Sequence, residues 1–164
     1  MKYLSSSARH ELSGRAPDDS KTLAMQRQKE TVKTARPRVL VADDHRAMLD
    51  TLVRMLSRDF EVVAAVMDGV AVVTKAEQLE PDLLVLDIAM PELNGIAAAA
   101  RLKEHGSNAK VVFVTNMRNR EFVQESLALG DVGFVVKDRL VADLLPAIRH
   151  VLSGETFVSP TVQR

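Results

Sequence analysis

The stretch LLVLDIAMP, residues 83–91, holds the residue on which the reading of the chain turns. Leu83, Leu84, Val85 and Leu86 form an unbroken apolar run of the kind a strand covered on both faces needs. Asp87 follows directly, with more apolar residues behind it and a proline at 91. A lone buried carboxylate is costly unless it is paired or protonated. The rest of the chain must therefore supply its company.

Outward from this run the pattern is regular. RVLVA (38–42) and FEVVAAV (60–66) precede it as short β-branched runs, and KVVFVT (110–115) and GFVVK (133–137) follow it. Each is answered by a helical pattern: HRAMLDTLVRML, DGVAVVTKAEQLE with an aspartate cap, NGIAAAARLKEH, REFVQESLAL stopped by Gly130, and VADLLPAIRHVLSGE. Strands alternating with helices of this length imply right-handed βαβ units and a parallel sheet. The expected fold is α/β: five parallel strands in the order 2-1-3-4-5, with helices on both faces. Pro146 would break a helix interior, so the last helix is expected to begin near Ala142–Asp143, with the proline close to its first turn.

In this frame the charged residues fall together. The first strand ends in Asp43 and Asp44, the third in Asp87, the fourth in Thr115 and the fifth in Lys137. Open α/β sheets bind ligands outside the carboxyl ends of their strands, where the strand order reverses. Clustered carboxylates repel one another and need a positive partner. With hard oxygen donors and no histidine or cysteine read into the set, magnesium suits it better than zinc. The chemistry that fits is phosphoryl transfer to a carboxylate, with Asp87 as nucleophile, Asp43 and Asp44 holding magnesium, and Lys137 and Thr115 contacting the phosphoryl oxygens.

The stretches VLVADDH (39–45), LLVLDIAMPELNG (83–95), VVFVT (111–115) and GFVVKD (133–138) resemble the receiver domain of bacterial two-component response regulators. The resemblance implies a flavodoxin-like receiver fold and phosphorylation at Asp87 by a sensor histidine kinase. It implies Mg2+ held by Asp44, by Asp43 as an assistant, by Asp87 and by the backbone carbonyl of Ala89. Thr115 takes the place of the switch hydroxyl, Lys137 of the family's lysine and Phe134 of its switch aromatic. DDH, the KD after the fifth strand and the ending AIRHVLSGETFVSP resemble the NarL/FixJ, LuxR-type group, whose members carry a helix-turn-helix after the receiver. The sequence stops at Arg164, so a stand-alone receiver and a truncated transcriptional regulator are both open readings. Two departures stand out. Asn116 follows Thr115 where a small residue is usual, and the apolar Ala89 and Met117 offer little to orient a hydrolytic water, which implies slow autodephosphorylation.

The chain is expected to divide into a flexible polar extension over 1–36, with a short helix over KTLAMQRQKETVK, a receiver over 37–158 and a short tail over 159–164. The extension carries eight basic and four acidic residues, against fourteen and eighteen in the remainder, and charges so mixed do not make a nucleic-acid patch. No cysteine is present, so disulfides and thiolate metal sites are excluded, and no apolar run can span a bilayer. A cytoplasmic protein fits these features. The expected partners are the kinase and a downstream protein, with homodimerisation as one form of output and neither membrane nor direct DNA binding. A haloacid-dehalogenase-like phosphatase would want Asp-x-Asp after the first strand, and a flavin carrier a phosphate loop and stacking aromatics. ADDHRA supplies neither, which leaves an unphosphorylated pseudo-receiver as the alternative.

Overall fold

The computed structural model describes residues 35–162. The expected extension over 1–36 therefore falls, apart from Ala35 and Arg36, outside the described residues. Strands β1 (Arg38–Ala42), β2 (Glu61–Val66), β3 (Leu83–Leu86), β4 (Lys110–Thr115), β5 (Val132–Val136) and β6 (Phe157–Val158) form one sheet in the order β2-β1-β3-β4-β5-β6, parallel throughout. Between them run helices α1 (Arg46–Leu56), α2 (Gly69–Leu79), α3 (Gly95–Glu104), α4 (Arg120–Leu127) and α5 (Leu140–Leu152).

Strand residues alternate between two apolar layers. Val39, Val41, Leu83, Val85, Val112, Val114 and Val135 meet α1 and α5 through Leu52, Leu56, Leu144 and Ile148. Leu40, Ala42, Leu84, Leu86, Phe113, Phe134 and Val136 meet α2 and α3 through Val72, Ala76, Ile96 and Leu102, with Val123 of α4 beside them. All four residues of β3 are buried, as its sequence requires of the central strand.

Two expectations are corrected. The sheet has six strands, not five: Phe157 and Val158 pair with Gly133 and Phe134 of β5. Two residues carry no readable period, so only the tertiary pairing reveals the strand. The last helix begins at Leu140, not near Ala142–Asp143, and Pro146 lies inside it. A 3-10 turn over Lys137–Arg139 leads straight into α5, and Leu140, Leu144, Ala147, Ile148 and Val151 are buried against the sheet. That packing outweighs the missing N–H, and the carbonyl left without its helical donor belongs to Ala142, on the exposed side.

Candidate functional site at the carboxyl ends of the strands

β1 turns back to β2 on one side while β3 lies on the other, so the crevice between β1 and β3 is the topological switch point. Ala42 pairs with Leu86, and Asp43 and Asp87 are thus the first residues beyond two adjacent strands. Both backbones are pinned: Asp87 N donates to Ala42 O at 2.9 Å and Asp43 N to Val66 O at 3.2 Å. One strand further along, Thr115 pairs with Val136, which places Lys137 next beyond β5.

The loop after Asp87 is shaped by the NG pair. Asn94 caps α3, its side chain accepting from Ala97 N at 2.8 Å. Gly95 N donates to Ile88 O at 2.9 Å. A Cβ at Gly95 would lie 2.1 Å from the Asp87 carbonyl oxygen, so only glycine lets the helix start against the Asp87 backbone. Gly69 has the same role against Leu93 O, at 1.8 Å, and holds the start of α2 to this loop.

Asp43 and Asp87 are buried, at 0% and 3% exposure, and Lys137 reaches both. Its Nζ donates to Asp87 Oδ2 at 2.8 Å and lies 2.7 Å from Asp43 Oδ2. Burial by itself would lower the Lys137 pKa, but the carboxylates of Asp43 and Asp87 outweigh it and hold the ammonium above its ordinary value. Asp44 is 31% exposed in its side chain, with Oδ1 3.0 Å from His45 Nδ1. Asp87 Oδ1 is buried and has no hydrogen-bond partner among the described residues. Thr115 is fully buried, and its hydroxyl oxygen accepts from Met117 N at 3.2 Å. Ala89 is exposed in the loop, and Asn116 is exposed beyond β4. Met117 packs against the α2–α3 layer, and Phe134 is fully buried in it.

One oxygen or nitrogen from each of Asp43, Asp44, His45 and Asp87 lies within 4.8 Å of the others. His45, which opens the helical pattern HRAMLDTLVRML, is the member not expected from the sequence; its adjacency to the acidic pair is the signal for it. Burial divides the acidic pair. Asp43 is the buried one and contacts the lysine, while Asp44 sits at the rim. Three carboxylates face one ammonium, a surplus of negative charge that oxygen-ligated divalent cations match. A cleft of about 610 Å³ lined by Glu80, Pro81 and His105 lies at the other end of the strands and shares no residue with this cluster.

Fold and site together define a doubly wound α/β domain with an open carboxylate at its crevice. The family described as "Response regulator receiver domain" matches residues 39–149, and the chain belongs to that family, a signalling domain of two-component systems. It is similar to the response regulator GacA of Pseudomonas viridiflava, 33% identical over 127 residues, which cover 76% of this chain and 59% of the relative. The chain thus spans about three-fifths of that relative's length. A LuxR-family two-component response regulator from Aurantimonas sp. SI85-9A1 superposes with a TM-score of 0.73 at 25% identity, covering 79% of this chain and 94% of that one. A chain in the CheX-CheY-BeF3-Mg2+ complex from Borrelia burgdorferi does so with a TM-score of 0.68 at 25% identity, covering 74% and 93%. The relatives thus include LuxR-type response regulators. Among the described residues no helix is long and apolar enough to cross a membrane.

Proposed function

We propose that residues 37–158 form a cytoplasmic phosphoryl-accepting switch in which Asp87 takes the phosphoryl group of a sensor histidine kinase. The observation that carries this is the asymmetry of Asp87: Oδ2 is held by Lys137 at 2.8 Å, while the buried Oδ1 has no partner. A buried oxygen left open is expensive unless something binds it. In the transfer, Oδ1 attacks phosphorus, the nitrogen–phosphorus bond of the donor breaks, and its electron pair remains on the imidazole, which takes up a proton. Lys137, kept charged by its two carboxylates, steadies Asp87 before transfer and contacts a phosphoryl oxygen after it. Thr115 is the hydroxyl that turns to another oxygen, and Phe134 the aromatic that follows in the switch.

The acidic set fits a magnesium ion, with Asp43, Asp44, Asp87 and the carbonyl of Ala89 as its protein ligands. When bound, Mg2+ offsets the charge gathered on the transferred group. A similar chain crystallised in a complex with BeF3 and Mg2+ supports this reading. Ala89 and Met117 give an attacking water no polar partner, so the acyl phosphate is long-lived. The switched surface acts on a downstream protein or a second copy of the chain.

Incubation with Mg2+ and acetyl phosphate, followed by intact mass, tests the assignment. One phosphate adduct is expected, lost in Asp87→Ala. A wild type that takes up none would identify a pseudo-receiver instead.

A further inference from the structure

Outside the cluster just described, the described residues hold one more buried carboxylate. Asp143, on α5, is 5% exposed, and its oxygens are saturated. Arg139 Nε donates to Oδ2 at 2.8 Å and Nη2 to Oδ1 at 3.1 Å, while the Ser159 hydroxyl donates to Oδ2 at 2.7 Å. Ser159, the residue after β6, is itself fully buried. Its hydroxyl oxygen accepts from Val136 N at 3.1 Å, and its own N–H donates to Phe134 O at 2.8 Å.

These contacts bracket Lys137. The residue before it, Val136, has its N–H held by Ser159. The residue two beyond it, Arg139, ends the 3-10 turn that begins with the lysine and is clamped in a bidentate pair on Asp143. The relay closes through the contact between Ser159 and Asp143. The segment leading to Ser159 is docked independently: Glu155 pairs with His150 at 2.8 Å, and the Phe157 ring lies 5.6 Å from that of His150. A lysine that must meet Asp43 and Asp87 through a long, flexible side chain gains from a backbone fixed on both sides.

We propose that Asp143 and Ser159 are positioning residues for Lys137, and that through them the phosphoryl site and the C-terminal strand β6 are coupled. This rests on the reading of Asp87 as phosphoacceptor. Coupling is reciprocal, so a phosphoryl group that engages Lys137 also alters how firmly β6 is held. In a longer chain, whatever follows β6 would be joined to the site through this relay.

The test compares wild type, Ser159→Ala, Ser159→Thr and Asp143→Asn by three measurements: phosphorylation rate with acetyl phosphate and Mg2+, Mg2+ affinity by calorimetry, and labelling of Lys137 by an amine reagent, mapped by mass. Ser159→Ala and Asp143→Asn are expected to slow phosphorylation about fivefold, the rate equivalent of one lost net hydrogen bond. Lys137 labelling should rise by a similar factor, while labelling of the other lysines and Mg2+ affinity stay unchanged. Ser159→Thr, which keeps the hydroxyl, should restore the wild-type values. Wild-type rate or wild-type Lys137 labelling in Ser159→Ala overturns the proposal, as does an equal rise at every lysine, the mark of general loosening. If the wild type accepts no phosphoryl group, the reading of Asp87 fails, and Lys137 labelling alone decides the relay.

Discussion

Asp87 and Asp143 are both almost fully buried, and each lies against a basic side chain, Lys137 in one case and Arg139 in the other. They differ in what is left over. Asp143 has both oxygens hydrogen-bonded, one of them twice. Asp87 has one oxygen held and one open, and it shares its lysine with Asp43. A saturated carboxylate holds elements together, because removing it strands its donors. An open one, in a cluster with surplus negative charge, is maintained at a cost to stability, which is where reactive groups are found.

The hardest way to break the Asp87 side is mechanical. Gly95→Val places a Cβ 2.1 Å from the Asp87 carbonyl oxygen and should cost about 3 kcal/mol in a urea titration, as overpacking does. The sharper comparison is one substitution at both sites. Asp143→Asn is expected to destabilise by about 2 kcal/mol, since it weakens charge-assisted bonds to Arg139 and Ser159. Asp87→Asn removes surplus charge and is expected to stabilise by about 1 kcal/mol. Unfolding midpoints that move in the same direction would end the comparison.

Metal and acid separate the two sites again. Mg2+ at ten times its Kd should stabilise wild type and Asp143→Asn by about 1.4 kcal/mol, seen as a rise in Tm, and Asp87→Asn by much less. The Arg139 pair, ahead of the Ser159 hydroxyl and against the opposing effect of burial, holds the Asp143 carboxyl below its ordinary 3.8. Its contribution is therefore complete above pH 3.8 and is lost as the pH falls from there through the lower folded value. Urea midpoints taken down through that range should show a shallower acid limb in Asp143→Asn than in wild type. The smallest effect is expected at the Arg118–Asp138 pair, beside the site but exposed on both sides. Arg118→Ala should change stability by no more than about 0.5 kcal/mol.

Much of the fold is legible because local pattern and tertiary role agree. β1 and β4 coincide with the runs 38–42 and 110–115, where β-branched residues are bounded by polar ones or by Pro37. Asp68 was readable as a helix cap, and it accepts from Ala71 N at 2.7 Å. The site's members were visible singly as charged residues at strand ends. Their mutual arrangement was not: that Lys137 reaches Asp43 as well as Asp87, and that His45 leans on Asp44, depends on side-chain paths that spacing does not encode. β6 and Pro146 mark the other limit. A two-residue strand has no period, and a proline inside α5 contradicts propensity until the 3-10 turn and the Arg139–Asp143 clamp are seen. Ser159 falls within what reads from sequence as a short tail, yet it is fully buried.

The parallel sheet also governs the order in which this molecule can be assembled. None of its neighbouring strands is joined by a hairpin, so each ladder waits for a helix-length loop to close. β1 and β3 bring Asp43 and Asp87 side by side, but the lysine between them arrives only with β5. A chain folded as far as β4 would hold two adjacent carboxylates with no ammonium to separate them. The surplus charge of the finished site thus also disfavours its half-built form, in which the ammonium is missing.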